Sequence, residues 1–557
     1  MGQDPEQPME VVYDEAAPLS GGSKLLKHHQ AQLSESPLAA VLNTPYHAMA
    51  WLRTLRQEFG SELLLMLFSS QHLLKGMAST YVGAPSSFLY KGYGVKGPQM
   101  QIFGGVTQLP WAMKPMIGLF SDAFPIYGFN KAPYIVAASV MGVLACGFMG
   151  FVPGHYFGVE VLVMCFFLVQ LQMSTCDLLT EAKYAEKMQS KPKYGPDLMT
   201  YVWFGMNATS LLATITVGPL MEHWGYKAPL ILALPALASI LLPTTQNCLE
   251  ETPQDKEAVA ERRAQLFEQK EACGLCVLMF VGTVFLTVMA IMFEDIKLNA
   301  ACAISVAVIM LIAFSLVLKP VIAKVNAFFL IQTSLGVSIG GASFYFYTDS
   351  PEEYPEGPHF SMEFFTSALG VVGGVCSLIG IYTYQQYMRE WTYRRMLLVT
   401  NLVLSVLSIC DVMMFTRMNL RLGLPDHAFV LGASVAQTVV AQWMWMPGVV
   451  ILSQLCPKGM EATMYALLAG CHNLGNTIAA NTGALLLEAL KINPSGDKGE
   501  SHQFDNLWIA SCISTVMPLM TLIALPYLIP PHKQTDKILS DDDRDATEGS
   551  LWRRWFG

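Results

Sequence analysis

The chain has 557 residues, of which 53% are hydrophobic and only 14% are charged. Soluble proteins carry about 25% charged residues, so this composition excludes an ordinary soluble domain and indicates a protein embedded in the lipid bilayer. Apolar runs of roughly 20 residues match a ~30 Å hydrocarbon core, and alternating barrel strands are absent, so the runs are predicted to be helices. The net charge of −9 argues against a nucleic-acid partner.

Residues 1–60 are polar and are predicted to form a cytoplasmic N-terminal tail. Fourteen apolar runs follow, and the loops between them group the runs as six, two and six. We therefore predict an all-α polytopic membrane protein of about fourteen transmembrane helices. Its further predicted segments are an N-terminal six-helix bundle (61–245), a cytoplasmic linker helix (246–272), an extra transmembrane pair (273–318), a C-terminal six-helix bundle (319–530) and a cytoplasmic C-terminal tail (531–557). If the extra pair were one re-entrant hairpin, twelve spans would remain with the same topology elsewhere.

Lysine and arginine residues in short loops set the predicted orientation. With the N-terminus inside, Lys131 and Arg262 fall on the cytoplasmic side and the acidic loop 349–356 falls outside, while Arg417 and Arg421 break the rule. Both termini are then cytoplasmic. The plasma membrane is the expected location, and an organelle membrane stays open as the alternative.

The first span carries three polar side chains in a short stretch, Gln71, His72 and Lys75. Residues four apart share a helix face, and a charge inside a bilayer is a candidate functional group because its burial is expensive. We predict that all three residues bind substrate from one wall of a cavity. The alternative for Lys75 is that its ammonium group snorkels to the outer surface.

The fourth span is the most polar of the fourteen. Its polar stripe is formed by Gln170, Ser174, Asp177 and Glu181. Asp177 is predicted to be a proton-coupling carboxylate, because desolvation favours the protonated form of a buried acid. The alternative is a structural ion pair of Asp177 with Lys114 or Lys183. Glu181, at the cytoplasmic boundary, is predicted to have a structural or gating role.

The stretch from Pro110 to Tyr134 is predicted to contain the end of one helix, a Pro/Gly loop and the start of the next helix. Its predicted gating or structural residues are Lys114, Asp122, Gly128 and Lys131. With the orientation above, this hairpin lies at the cytoplasmic edge, so we expect it to control opening without touching the substrate.

Amide and aromatic side chains recur in three later spans. The predicted substrate-binding residues among them are Trp203, Asn207, Gln437, His472 and Asn476. A planar heterocycle would bind well to such a combination of hydrogen-bonding groups and rings. For each polar residue singly, hydrogen bonding between helices, worth about 0.6–2 kcal/mol, is an equally good explanation.

The sequence lacks the signatures of several enzyme classes. It contains no P-loop, HExxH or GxSxG motif and no metal-ligating cluster, and the lone pair Cys273 and Cys276 opens a predicted membrane helix, where packing is favoured over zinc binding. We therefore expect no catalytic residue, no metal site and no cofactor, and predict that the protein is not an enzyme. Transport would have to draw on an ion or substrate gradient.

The 6 + 6 arrangement resembles a major facilitator superfamily (MFS) transporter. Gly118, Asp122 and the run Gly128–Lys131 resemble the superfamily signature between helices 2 and 3. The match is loose, because Phe124–Ile126 lengthens the loop and Asn130 stands where a basic residue is common.

These departures from the superfamily signature indicate a narrower family. The sequence resembles the folate–biopterin transporter family, and within it most resembles the kinetoplastid pteridine transporters. The residues that carry the resemblance are Trp111, Lys114-Pro115, Gly118, Ser121-Asp122, Pro125, Gly128, Pro133-Tyr134, Asp177, Glu181-Ala182, Ala185-Glu186, Phe344–Thr348, Pro457, Gly459, Glu461–Thr463 and Ala466–Leu468. The resemblance implies transport of folates, biopterin or related pterins, with protons as the expected coupling ion. Lys75 would attract a folate glutamate tail.

Two other functions stay open at this stage. Some members of the family carry S-adenosylmethionine, so another organic solute is an alternative substrate. A non-transporting receptor or scaffold is a further alternative, although a scaffold has no need to keep Lys75 and Asp177 in lipid.

Overall fold

The computed structural model describes residues 37–457, 461–539 and 545–556 of the chain. It falls into two compact units, Met1–Ser61 and Glu62–Gly557. In the first unit, the described residues form the helix α1 (Pro37–Phe59) and end at Ser61, the first residue of the next helix. The predicted tail residues before Pro37 lie outside the described part.

The second unit consists of helices joined by loops, and its described residues contain no β-strand. Its helices are α2 (61–83), α3 (Ser86–Gly92), α4 (97–123), α5 (Ala132–Phe151), α6 (Val159–Ser190), α7 (Gly195–Trp224), α8 (Ala228–Thr245), α9 (Lys256–Glu268), α10 (Lys270–Met292), α11 (Ile296–Val317), α12 (Pro320–Thr348), α13 (Glu363–Tyr387), α14 (Tyr393–Phe415), α15 (Met418–Arg421), α16 (Asp426–Gln454), α17 (Glu461–Ala489), α18 (Ser501–Leu528) and α19 (Leu551–Phe556). Fourteen of these match the predicted spans, and in the described part of the chain ten are long and apolar enough to cross a membrane. The predicted all-α polytopic membrane fold is confirmed.

Helices α2 and α4–α8 form the N-terminal half, and α12–α14 and α16–α18 form the C-terminal half. The halves meet mainly where α4 packs on α17 and where α7 packs on the start of α13. The extra pair bridges them, because α10 contacts α4 while α11 contacts α12 and α17. Part of the predicted linker helix is present as α9.

Several helices are interrupted where they carry polar groups. The middle of α2, Phe68–Ala78, is a π-helical segment, and α4 is broken near Gln108 and again at Met113. In α12 the break lies between Leu335 and Gly340. Helix breaks within a membrane are tolerated where the freed backbone groups find partners, and π-segments are frequent at functional sites.

Hydrogen bonds between the two halves are concentrated at the end of the bundle that carries Lys91. The amide of Gly97 donates to the Pro494 carbonyl at 2.8 Å. The buried Gln101 amide donates to the carbonyls of Ser338 and Ala480 at 3.0 and 2.9 Å. These contacts join α4 directly to the break in α12 and to α17, so this end of the bundle is closed.

Candidate functional site

The candidate site is an ion-pair cluster built around Asp177 of α6. This carboxylate is buried, with 2% of its surface exposed. Lys75 of α2 lies 2.9 Å from one carboxylate oxygen and Lys114 of α4 lies 2.5 Å from the other. The Gln71 amide donates a hydrogen bond of 3.1 Å to the same oxygen that Lys75 contacts. Three helices thus meet at one acid.

Interruptions of the helices bring these side chains together. Gln71 and Lys75 both lie in the π-helical segment of α2, and both reach the same Asp177 oxygen. Lys114 begins the last section of α4, next to Pro115. Proline has no N–H to donate and commonly opens a helix, which explains why the chain is interrupted here.

Two tryptophans surround the lysines. The Lys114 ammonium lies 4.7 Å from the Trp111 ring centroid, and the Lys75 ammonium lies 5.8 Å from Trp111 and 5.9 Å from Trp203. The Trp111 indole donates a hydrogen bond of 2.9 Å to Gln170. Cation–π contacts of this kind are worth about 0.5–2 kcal/mol. Trp111 was absent from the predicted site, although it precedes Lys114 by only three residues in the sequence.

The other acid of the polar stripe, Glu181, lies one helical turn beyond Asp177. It is half-buried and interacts electrostatically with Lys75 and Lys114. Tyr184 of the same helix and Tyr465 of α17 also interact with it, so Glu181 connects the lysine cluster to the C-terminal half. Neither tyrosine was among the predicted site residues.

Two predicted residues of the N-terminal half lie beside this cluster and not within it. The His72 ring contacts the Tyr201 carbonyl at 2.9 Å and packs on the Tyr201 ring at 4.6 Å between centroids. The exposed Asn207 amide donates to the Trp203 carbonyl of its own helix. The His72 side chain therefore connects α2 to α7 through its contacts with Tyr201.

The predicted residues of the C-terminal half lie in separate environments. His472 contacts the Thr333 hydroxyl at 3.1 Å and the Trp445 ring edge to face. Gln437 donates a hydrogen bond of 3.0 Å to Asp411. Asn476 lines a cavity of about 600 Å³ at the junction of α4, α12 and α17. The structure does not gather them around Asp177.

The predicted gating hairpin contacts the linker between the two halves. Asp122 lies 3.4 Å from Arg262 of α9, and Glu251 accepts hydrogen bonds from the Lys131 and Ala132 amides at the start of α5. The Gly128 carbonyl accepts from the Gln254 amide at 2.9 Å, and this glycine has a φ of +85°. Residues with a side chain rarely adopt that conformation.

A second ion-pair cluster lies at the closed end and was missed by the sequence analysis. Lys91 of α3 contacts Asp349 at 2.6 Å and Glu353 at 2.9 Å. Asp349 has no exposed surface, and burial raises its pKa to about 7 although Lys91 acts in the opposite direction. The Tyr345 hydroxyl donates to the Val95 carbonyl beside them. The sequence offered two signals for this cluster: a basic residue after the first span, Lys91, and the acidic loop 349–356 after α12.

The arrangement can bind an anion next to a flat ring. Two cations share one fully buried acid, and both lysines keep part of their surface exposed, 28% for Lys75 and 15% for Lys114. The indoles beside them offer apolar faces for stacking. Within the described residues there is no group of three or more His, Cys, Asp or Glu side chains that could hold a metal ion.

Comparison with known proteins finds relatives that match along most of the chain. A probable folate-biopterin transporter of Arabidopsis thaliana is 25% identical over 90% of this chain and 91% of its own length. A folate-biopterin transporter of Synechocystis is also 25% identical, over 92% of this chain and 91% of its own.

The fold itself is that of MFS-type transporters. A crystal structure of a POT peptide transporter in complex with sulfate matches with a TM-score of 0.58 at 14% identity, covering 85% of this chain and 96% of that one. The model of the BT1 family matches residues 75–548, which include Lys75, Lys114, Asp177 and the closed-end cluster. The chain is a multi-pass membrane protein, and it belongs to the BT1 family.

Proposed function

We propose that this protein is a secondary active transporter of folates or related pteridines. Relatives that cover nine-tenths of the chain carry the name folate-biopterin transporter, and the structural neighbours are transporters and not enzymes. The substrate is a pterin ring, carried alone or with a glutamate tail.

The observation that carries the proposal is the Asp177 cluster. Lys75 and Lys114 supply an excess of positive charge over this one acid, and Trp111 and Trp203 supply the ring faces beside it. The lysines bind the carboxylates of a glutamate tail, and the indoles stack on the pterin. Gln71 orients Asp177 through its 3.1 Å hydrogen bond.

Transport proceeds by alternating access in this proposal. The halves are joined at the Lys91 end, so the structure corresponds to a state closed at that end. Rocking the halves about the Asp177 cluster would open the Lys91 end and close the other. His472 and Asn476 of the C-terminal half would reach the substrate in the course of this motion, while Asp122 and Lys131 hold the opposite end.

The location and the energy source are part of the proposal. We place the Lys91 end outside and both termini in the cytoplasm, because lysine and arginine are enriched in the opposite loops. The plasma membrane is the proposed location. Protons are the coupling ion in this proposal, because the cluster holds two acids, Asp177 and Glu181, within the membrane-spanning part of the chain.

The test is uptake of radiolabelled folate and biopterin in transport-deficient cells, with and without a proton gradient. We expect the wild-type protein to accumulate at least one of them when the gradient is present. Asp177→Asn should reach the membrane but lose accumulation, because both lysines lose the charge that neutralises them. Wild-type accumulation by Asp177→Asn would contradict the role of the cluster. A competition panel of S-adenosylmethionine and nucleosides tests other substrates.

A further inference from the structure

The charges around the candidate site do not all have close partners. Asp177 has two lysines within 2.9 Å and an amide within 3.1 Å, so its hydrogen-bonding positions are filled. In the described part of the chain, Glu181 has no lysine or arginine within ion-pair distance. Its side chain lies about 6 Å further along the helix, which is the rise of four residues.

Charge balance makes the protonation state of Glu181 decisive. With Glu181 ionised, Lys75 and Lys114 face two carboxylates and the cluster is neutral. With Glu181 protonated, the same cluster has one net positive charge. An anionic substrate is attracted only in the second case, because opposite charges at these distances interact by several kcal/mol at an effective dielectric near 20.

We propose that Glu181 carries the exchanged proton and that its protonation prepares the lysine pair to bind a substrate carboxylate. In this proposal Asp177, the acid that the sequence analysis predicted to be the proton-coupling carboxylate, stays ionised and keeps both lysines in place. The inference rests on the proposed function and deepens it. The proton comes from water on the side where substrate enters, is carried on the Glu181 carboxylate, and is released to water on the other side with the substrate.

Groups that oppose and groups that favour its ionised form both face Glu181. Asp177, one turn away on the same helix, repels the ionised carboxylate, while Lys75, Lys114 and a hydrogen bond from Tyr184 favour it. Tyr465 from α17 also interacts with Glu181. The other charged residues nearby on α6 face elsewhere, because Lys183 pairs with Glu186 and Glu250. Tyr465 belongs to the C-terminal half, so the environment of Glu181 changes when the halves rock.

Glu181→Gln tests the inference, because glutamine imitates the protonated acid and cannot release a proton. Folate uptake by the wild-type protein should rise as the outside is acidified. The variant should lose this pH dependence and lose accumulation against a gradient. The Glu181→Gln variant should still exchange labelled folate for unlabelled folate across the membrane of a vesicle, because exchange needs no net movement of protons. Glu181→Asp, which keeps the acid, should restore the pH dependence.

Glu186→Gln is the matched control, because it removes an exposed acid from the same helix five residues away and should behave like the wild type. A normal pH dependence in Glu181→Gln would overturn the inference. So would loss of exchange in a variant that reaches the membrane at the normal level and unfolds at the normal temperature. If the wild-type protein moved no folate or pterin, the proposed function would fail instead, so the two failures are distinguishable.

Discussion

Gly341→Ala is expected to open the end of the bundle that carries Lys91. Gly341 lies at the start of the second section of α12, where it packs against Gly97 at the start of α4. A Cβ atom added at Gly341 would lie 1.9 Å from the Gly97 carbonyl oxygen and 2.7 Å from its carbonyl carbon. These are backbone atoms, and they cannot turn aside as a flexible side chain does.

The size of the effect follows from this overlap. The methyl group needs at least 3.0 Å, so the two backbones must separate by about 1.1 Å. Overpacking of a tight contact costs about 1–3 kcal/mol, and an energy of this size changes an equilibrium by about 5- to 150-fold. Because Gly97 and Gly341 belong to different halves, opening the closed end removes the overlap, and the equilibrium shifts toward the open state.

Cysteine modification measures this shift. Val95 is 7% exposed, and its carbonyl accepts the Tyr345 hydrogen bond at the closed end. Val95→Cys should react slowly with a maleimide in the wild-type background and at least fivefold faster with Gly341→Ala. The control is Gly340→Ala, whose added Cβ would meet only a hydroxyl at 3.5 Å. An unchanged rate in Gly341→Ala would refute the reasoning, even if the protein became less stable.

The remaining predictions concern pH and a helix cap. Burial raises the pKa of Asp349 to about 7 at the closed end, whereas an exposed aspartate titrates near 3.9. Closure therefore binds a proton, and the closed state should gain stability as pH falls from about 7 toward 4 and lose it as pH rises through 7. The rate at which maleimide modifies Val95→Cys, corrected with a free cysteine peptide, should therefore rise as the pH is raised from about 4 to about 7. Asp349→Asn should abolish this rise. Glu251→Ala should weaken the start of α5 by about 0.5–2 kcal/mol, as losing a cap does. Faster hydrogen exchange of the Lys131 and Ala132 amides would report it, and Glu257→Ala, at an exposed site on α9, should have no effect there.

The sequence alone determined that the protein is an all-α polytopic membrane protein. Low charge and apolar runs of membrane-spanning length leave few alternatives to a helical bundle, because backbone groups in lipid must bond within their own segment. The cost of charge in lipid singled out Lys75 and Asp177 without any knowledge of their surroundings. The hairpin motif around Asp122 and Gly128 indicated the family, which the BT1 match confirmed.

The tertiary structure decided which charges meet. Periodicity shows which residues share a helix face, but not which neighbouring helix that face contacts. Lys75 and Asp177 are 102 residues apart, and Lys91 and Asp349 are 258 apart, so each pair depends on how whole helices pack and rotate. The sequence also predicted His472 and Asn476 to be substrate-binding residues, and in the structure both lie away from the Asp177 cluster.

Local backbone irregularities were also invisible in the sequence pattern. The π-helical segment of α2 turns Gln71 and Lys75 toward one carboxylate oxygen, and the break in α12 frees the Ser338 carbonyl to accept from Gln101. In both places, groups of the irregular segment have a partner on another helix: Asp177 for Gln71 and Lys75, and Gln101 for the Ser338 carbonyl. Composition and spacing therefore predicted the spans and the charged residues within them, while packing between the halves decided how those residues form a site.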